Sequence, residues 1–207
     1  MNVAVCYVYP LVNRQIYFPI AKRFADTWKQ FPGAHLHILC NGDSPTPLEL
    51  RPFEGIDYAT HTCSNFGWDI GAFQWAASHL PCDLLICLGA PVHFHKPGWL
   101  ASMLDAYIDH GPGLFGCWAY LSPNWHVRTT AFWCPPQLIN SYPYQIASTR
   151  ASRYDFEHGE NSFTRHVLAA GFPCTMVTRQ GCFPFDQWKD HAPGVEDSLL
   201  LDQHTHR

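Results

Sequence analysis

A continuous apolar run near the middle of the chain, LLICL at positions 84–88, constrains the fold more than any other feature. Five consecutive apolar residues bounded by turn signals are typical of a strand buried on both faces, as in the parallel sheets of α/β proteins. The run stops at Gly89, and a loop with two prolines and two histidines follows. Because ligands of open α/β sheets bind outside the carboxyl ends of the strands, this loop is the first place to expect a site.

The rest of the chain alternates β-rich runs with helical patterns. Helical spacing is clearest where Ile16, Ile20, Phe24 and Trp28 share one face before a Pro-Gly pair ends the segment. Strands are predicted at 3–9, 35–40, 57–62, 84–88, 114–119, 127–133 and 173–178, and helices at 16–31, 69–79, 99–108 and 161–170. This alternation favours a mostly parallel sheet between two helical layers, so the predicted fold class is a single-domain, Rossmann-like α/β/α sandwich spanning 1–207.

The composition limits the kinds of partner. A net charge of −4 without a basic stripe gives no reason to expect nucleic acid as a ligand. Charged residues are 14% of the 207, below the roughly 25% usual for soluble domains, which leaves room for a protein partner or peripheral membrane attachment. The length suits one domain around one core.

Cysteine usage and the N-terminus indicate a cellular compartment. The nine cysteines are odd in number, form no C-x-x-C pair and lie mostly within apolar runs, where cysteine behaves as a small hydrophobe. The opening residues MNVAVCYVYP lack the basic start and cleavage site of a signal peptide, and no apolar run reaches the roughly 18 residues of a membrane span. We therefore expect a reduced, cytoplasmic protein.

The segment NFGWDIGAF combines turn glycines with an acid at a predicted helix start. Gly67 and Gly71 permit a tight turn, and Asp69 can accept from backbone N–H groups or bind ligand hydroxyls. A helix N-terminus next to such a loop also attracts anions. A capping aspartate between turn glycines explains the segment equally well, so both interpretations stay open.

Paired histidines raise the question of a metal. His93 and His95 are two apart and point the same way in an extended segment, and His204 and His206 repeat the spacing. Imidazoles in such pairs can ligate a metal, but a chain with 13 histidines produces close pairs by chance. No metal site is predicted, and the weak candidates are His93, His95 and His204.

Two acids, Glu157 and Glu160, are predicted just before or at the start of a late helix that Asn161 or Ser162 can cap. The helix dipole stabilises carboxylates there, and either acid can serve as a general base. A solvated acidic first turn is the simpler alternative.

In their order along the chain, four segments resemble the nucleotide-sugar glycosyltransferases of the GT-A fold, in particular the large inverting family that includes rhamnosyltransferases. NFGWDIGAF resembles that family's N-x-G-x-D-x-G-A segment, and DLLICLGAPVHFHKPGWL resembles the strand that normally ends in an acidic D-x-D. GLFGCW with HVRTTAFWCPPQLI resembles the acceptor-side strand pair, and FEHGENSFTRHVLAAGF resembles the late acidic helix start. The resemblance covers roughly residues 3–178.

The resemblance implies a donor-nucleotide half at 1–88 and an acceptor half at 89–207. It implies a nucleoside-diphosphate sugar as donor, a glycan or lipid-linked acceptor, and a cytoplasmic location that extends to the inner face of the membrane. It places the donor against Tyr9, Pro10, Asn65, Asp69, Gly89, Ala90, His93 and Arg128, and the catalytic base at Glu157 or Glu160. Within this set, Tyr9 and Pro10 would face the nucleotide base.

One departure from the family puts catalysis in question. The family's strand-end acids hold a divalent cation, Mn or Mg, that neutralises the leaving diphosphate. This chain has Gly89, Ala90 and Pro91 there, and the next carboxylate is Asp105. His93, His95, Lys96 and Arg128 are the nearest cations that could take over, or histidines could hold a metal differently. The alternatives to a transferase are a catalytically inactive sugar- or nucleotide-binding module on the same fold and a histidine metalloenzyme unrelated to sugars.

Overall fold

The computed structural model describes residues 1–144, 146–191 and 194–203. In this part of the chain the strands are β1 Val3–Pro10, β2 Leu36–Asn41, β3 Tyr58–Cys63, β4 Leu84–Leu88, β5 Leu114–Gly116, β6 Ala119–Tyr120, β7 His126–Val127, β8 Ala131–Cys134, β9 Cys174–Thr178 and β10 Gly181–Pro184. The α-helices are α1 Arg14–Gln30, α2 Pro47–Leu50, α3 Trp68–His79, α4 Trp99–His110, α5 Pro136–Asn140, α6 Arg150–His158 and α7 Phe163–Ala169. Short 3-10 helices lie at Arg51–Phe53, Phe185–Asp190 and Val195–Asp197.

Eight strands form one sheet in the order β10-β9-β5-β8-β4-β1-β2-β3. The pairs β1–β2, β2–β3, β1–β4 and β5–β9 are parallel, whereas β8 and β10 run against their neighbours. The other two strands, β6 and β7, form a separate antiparallel hairpin. The sheet is therefore mostly parallel, as the alternating sequence pattern predicts.

Helices cover both faces of the sheet. Since side chains alternate between the faces along each strand, every strand of the sheet contributes to two buried clusters, one under each helical layer. On β1, Val5, Tyr7 and Tyr9 join one buried cluster, and Ala4, Cys6 and Val8 join the other. The first cluster includes α1 and α4 through Phe24, Trp28, Trp99 and Met103. The second includes α3 and α5 to α7 through Phe73, Leu138, Phe156, Phe163 and Val167. The predicted α/β/α sandwich is confirmed.

Two predicted strands are each divided. The run predicted at 114–119 becomes β5 and β6, and the run predicted at 127–133 becomes β7 and β8. The chain leaves the sheet after Gly116 and returns at Ala131, with the β6–β7 hairpin between. Val127 packs so closely on Gly116 that a Cβ there would overlap its side chain. This packing of β7 on β5 is a tertiary contact that strand periodicity does not encode.

The late helical region also differs from the prediction. Ser162 caps α7, accepting from the backbone N–H of Arg165 at 3.4 Å, so the helix predicted at 161–170 begins at Phe163. Glu157 lies instead near the end of α6, which the apolar pattern misses because Phe156 is its only fully buried residue. Glu157 therefore lacks the favourable dipole of a helix N-terminus.

All nine cysteines are free thiols, and seven of them are buried. Among the described residues, no helix combines the length and the apolar character that a membrane crossing requires.

Candidate functional site

An open cleft of about 1060 Å³ lies at the carboxyl-terminal edge of the parallel strands. Its floor includes Val8 and Pro10 of β1, Asn41 at the end of β2, and Ala90 and Pro91 after β4. This edge is where the strand order reverses direction around β1, and such switch points are the usual ligand sites of open α/β sheets.

The loop after β4 lines the cleft through Ala90 and Pro91, whereas Gly89, predicted as a donor contact, is buried and does not line it. Gly89 donates its N–H to the Thr130 carbonyl at 2.7 Å, and a Cβ on Gly89 would lie 3.1 Å from that same oxygen. The Tyr7 hydroxyl donates to the Ala90 carbonyl at 3.1 Å. The loop is held by these close approaches and places no ionisable group from 89–91 in the cleft.

At the end of β1, alternation separates the two predicted donor residues. Pro10 lines the cleft, but Tyr9 points into the opposite core, where its ring lies 6.0 Å from the ring of Phe53. Burial raises the pKa of Tyr9 to about 12, with a further contribution from Glu49. The structure thus places Pro10 in the cleft, whereas Tyr9 is buried in the hydrophobic core.

Asn41 is a cleft residue that sequence reasoning missed. It is 1% exposed, and within the described chain its Oδ1 atom has no hydrogen-bond partner. A buried amide oxygen without a partner is costly, so it favours a ligand that can donate to it. The turn signal after β2 hides it, because asparagine is common at turns for reasons unrelated to ligands.

The segment NFGWDIGAF, predicted as a ligand loop and helix start, lines the cleft through Asn65, Trp68 and Asp69. Trp68 has a φ of 53°, a left-handed conformation that is strained for a bulky residue and is found most often near functional sites. A side chain at Gly71 would overlap the carbonyl of Phe66, so glycine is required where the loop closes onto the helix.

Asp69 lies in the first turn of α3, as predicted, and its carboxylate accepts from the N–H of Ile70 at 3.2 Å. Burial raises the pKa of Asp69, the nearby Arg153 guanidinium lowers it, and the Glu157 carboxylate raises it. The aspartate therefore shares one electrostatic environment with two residues of α6.

One face of α6 forms the opposite wall of the cleft. Its members follow the helical spacing i, i+3, i+4, i+7 and i+8, and all line the cleft: Arg150, Arg153, Tyr154, Glu157 and His158. This spacing is visible in RASRYDFEH and is the signal that could have found the wall, had the segment been recognised as a helix.

The arginines of this wall are held by aromatic rings. The Arg150 guanidinium lies 5.0 Å from the Tyr154 ring and donates to its hydroxyl at 2.7 Å. The Arg153 guanidinium lies 5.4 Å from the Trp68 ring, and its buried Nε has no partner in the described chain. Stacked guanidiniums keep N–H donors available for phosphate or carboxylate ligands.

The two predicted acids have different positions. Glu157 lines the cleft, and its Oε1 accepts from the backbone N–H of Thr129 at 3.1 Å. Glu160 is exposed in the turn between α6 and α7 and is not a lining residue. Of the two, only Glu157 is placed to meet a ligand in this cleft.

Arg128 reaches the cleft from the strand-pair region and is held by a buried ion pair. Its Nη1 lies 2.8 Å from Oδ2 of Asp202, and the two side chains are 11% and 0% exposed. The guanidinium also donates to the Thr130 hydroxyl at 3.2 Å and lies over the rings of Trp118 and Tyr120. Asp202, near the C-terminus, thus fixes a cation that the family resemblance places in the donor site.

The other predicted cations do not line the cleft. His93 is buried against Arg23, with 2.6 Å between Nε2 and Nη2. His95 is hydrogen-bonded to the Ser198 carbonyl at 2.7 Å, and burial lowers its pKa. Lys96 pairs with Glu196. His204 lies outside the described residues.

The cleft does not fit the divalent cation of the family pattern. No carboxylate occurs at 89–91, directly after β4, and the described residues contain no group of three or more histidine, cysteine, aspartate or glutamate side chains able to hold a metal ion. The guanidiniums that line the cleft are those of Arg128, Arg150 and Arg153.

Neither a model of a known protein family nor the sequence of a curated protein matches this chain. Solved structures do resemble it. A mannosyltransferase from Pyrobaculum calidifontis in complex with GDP-Man and Mn²⁺ has a TM-score of 0.51 at 12% identity, over 67% of this chain and 46% of that one. This chain therefore spans less than half of that protein.

Two nucleotidyltransferase-type structures cover more of their own length. The CMP:2-keto-3-deoxy-manno-octonic acid synthetase complexed with CTP has a TM-score of 0.53 at 9% identity, over 84% of this chain and 88% of that one. A putative glucose-1-phosphate thymidylyltransferase from Bacillus anthracis has a TM-score of 0.51 at 10% identity, over 82% and 84%. These likenesses show the fold, a GT-A-like, Rossmann-like sandwich that glycosyltransferases and nucleotidyltransferases share.

Proposed function

We propose that this protein is an inverting glycosyltransferase that moves a sugar from a nucleoside-diphosphate donor to a glycan or lipid-linked acceptor. The observation that carries the proposal is the α6 face, which sets two stacked arginines and one glutamate against the strand ends in a single cleft. The resemblance of the four sequence segments to the rhamnosyltransferase-like family supports the same assignment.

The donor would lie along the strand ends. Its nucleoside would contact Pro10, Asn41, Asn65 and Asp69, and its diphosphate would run past Ala90 and Pro91 toward the arginines. Guanidiniums bind phosphate oxygens through paired, charge-assisted hydrogen bonds, so Arg150 and Arg153 can offset the leaving-group charge that a cation meets in related enzymes. The structural neighbours bind GDP-Man and CTP, which are ligands of the same chemical class.

Glu157 would be the catalytic base. It would take the proton of an acceptor hydroxyl while that oxygen forms a bond to the anomeric carbon. The bond from the anomeric carbon to the phosphate oxygen breaks, and its electron pair leaves with the nucleoside diphosphate. The hydrogen bond from Thr129 holds the carboxylate in one orientation for this transfer. Glu160 and Tyr9 have no role in this proposal, because neither lines the cleft.

A non-catalytic binding module on the same fold is the second candidate. The absence of a carboxylate at 89–91 favours it, since the leaving group then depends on arginines alone. A histidine metalloenzyme receives no support, because His93 and His95 contact Arg23 and Ser198. A cytoplasmic location, including the inner face of the membrane, remains a prediction.

A thermal-shift experiment tests the nucleotide site. The purified protein is heated with UDP, GDP, dTDP or CMP, each with manganese or with EDTA. A ligand that binds the folded state raises the midpoint in proportion to its affinity. The proposal predicts a shift with one nucleoside diphosphate that EDTA leaves unchanged. A shift that requires manganese would contradict the arginine-only diphosphate site, and no shift with any nucleotide would overturn the proposed function.

A further inference from the structure

The β6–β7 hairpin, which the proposed donor contacts do not use, lines one end of the cleft. Tyr120, Ser122, Pro123 and His126 all border the cavity. The hairpin is anchored from behind, since the N–H of Val127 donates to the Thr164 hydroxyl at 3.0 Å. Its cleft-facing side chains therefore sit on a fixed support.

His126 has a defined tautomer. Its Nδ1 atom lies 2.6 Å from the carbonyl oxygen of Asn124, and a carbonyl can only accept, so the Nδ1 atom carries the proton. The side chain is 3% exposed, and its burial lowers the pKa. The ring is consequently neutral near pH 7, with its lone pair on Nε2.

The Nε2 atom has no hydrogen-bond donor among the residues that the structure describes. The groups around the ring come from two elements: Tyr120 of the hairpin, with its ring at 6.0 Å, and His158 of α6, with its ring at 5.3 Å. Glu157 and Arg128 also act on His126 electrostatically. This end of the cleft thus gathers hydrogen-bonding groups beside the exposed ring of Tyr120.

A sugar matches this chemistry better than a lipid chain does. Its hydroxyls can donate to Nε2 and to the Glu157 carboxylate, and its C–H face can lie against Tyr120, which is 46% exposed. The apolar side chains of the cleft gather elsewhere, around α1, at Val12, Ile16 and Ile20.

We propose that His126 binds the acceptor, accepting through Nε2 a hydrogen bond from a hydroxyl of a sugar, so that the acceptor group is a saccharide held by Tyr120, His126 and Glu157. The role of this sugar as the acceptor rests on the proposed glycosyl transfer, whereas the sugar contact itself is inferred from the hairpin and the residues around it.

Two substitutions separate the roles of the two ring nitrogens. In His126→Asn the side-chain amide occupies the Nδ1 position and keeps the bond to Asn124, but nothing replaces Nε2. In His126→Gln the amide reaches the Nε2 position and can still meet a hydroxyl. The probes are the methyl glycosides of glucose, galactose, mannose and rhamnose, added with and without the nucleotide that binds.

Binding is followed by side-chain ¹⁵N resonances of the histidines, with His126 assigned by its loss in the variants. We expect a proton on Nδ1 of the free protein at pH 7, and a glycoside that shifts the Nε2 resonance. His126→Asn should weaken that glycoside about tenfold, as the loss of one hydrogen bond predicts, and His126→Gln should bind it almost as the native protein does.

Equal affinity in both variants and the native protein would overturn the inference. So would an Nε2 resonance that no glycoside moves while a nucleotide still binds, and that result would leave the proposed donor site intact. A glycoside shift with no nucleotide binding would support the sugar contact and overturn the proposed function. The native-protein titration decides the matter even if His126→Asn fails to fold.

Discussion

Strands β1 to β4 form a parallel half of the sheet, whereas β8, β5, β9 and β10 form a half in which directions are mixed. The parallel half gives the cleft mainly uncharged groups, such as Val8, Pro10, Asn41 and Ala90. The segments that connect and follow the mixed half give it three arginines, Glu157 and the histidines. The first half shapes a floor for a ligand and adds one acid, Asp69, and the second supplies the arginines.

This division has a physical basis. Strands buried on both faces tolerate few ionisable groups, so a parallel half offers backbone and small side chains at its carboxyl ends. Helix α6 and the β6–β7 hairpin lie outside the sheet and can keep charged groups half exposed. If the division is functional, changes in the second region should affect chemistry and anion affinity while the floor still folds.

The largest effect is expected from Glu157→Gln. Loss of the proposed base should reduce glycosyl transfer about 10²- to 10⁴-fold, because a general base typically contributes that much. The amide can still accept from Thr129, so nucleotide affinity and the melting temperature should be nearly unchanged. Steady-state transfer assays and thermal shifts measure the two properties.

Glu160→Gln is the matched control, since Glu160 is exposed outside the cleft. Equal transfer activity in the two variants would remove Glu157 from the mechanism, whereas no transfer by either variant or by the native protein would favour the binding-module alternative.

Asp202→Asn should mainly reduce stability. It leaves the Arg128 guanidinium, only 11% exposed, without its ion-pair partner. Breaking a buried pair from one side typically costs about 3–5 kcal/mol in the free energy of unfolding. Denaturant unfolding measures this loss.

The double variant Arg128→Met with Asp202→Leu should recover part of that stability, because both buried charges are gone. If Asp202→Asn is as stable as the native protein, the ion pair between Arg128 and Asp202 does not contribute to stability.

Arg153→Gln should weaken nucleotide affinity about ten- to hundredfold, as expected for a lost charge-assisted hydrogen bond. The stack on Trp68 is lost with it, but the fold should remain. Isothermal titration with the nucleotide found in the thermal-shift screen measures the change. Arg51→Gln, away from the cleft, is the control and should bind normally; equal weakening of both would point to long-range charge instead of contact.

The smallest effect concerns acid stability at β2, the strand next to the outer edge of the parallel half. Burial lowers the pKa of His37 from 6.5 to about 4, helped by the nearby charges of His61 and His35. The unfolded chain takes up a proton below about pH 6.5 and the folded one does not, so stability is lost as pH falls from about 6.5 to about 4.

His37→Gln should therefore flatten the fall of the melting temperature over that range, relative to the native protein. His110→Gln, at the exposed end of α4, should leave the curve unchanged. Parallel curves for the native protein and His37→Gln would assign the acid sensitivity to other groups, such as His126.

The sequence by itself determined the layers of this protein and much of the cleft floor. Period-two and helical patterns are local, so LLICL, the α1 spacing and NFGWDIGAF led to the correct elements and to Asp69, and the family resemblance added Pro10 and Asn65. Only the tertiary structure added Arg150 and Arg153 to the cleft and showed that Glu157, and not Glu160, lines it. A polar helix with one fully buried residue, α6, leaves no apolar pattern, and the pairing of Arg128 with Asp202 joins residues far apart in the chain. Tyr9 packs near Phe53 and His93 lies against Arg23, because the face of β1 that meets the cleft and the neighbours of His93 are set by contacts between distant parts of the chain.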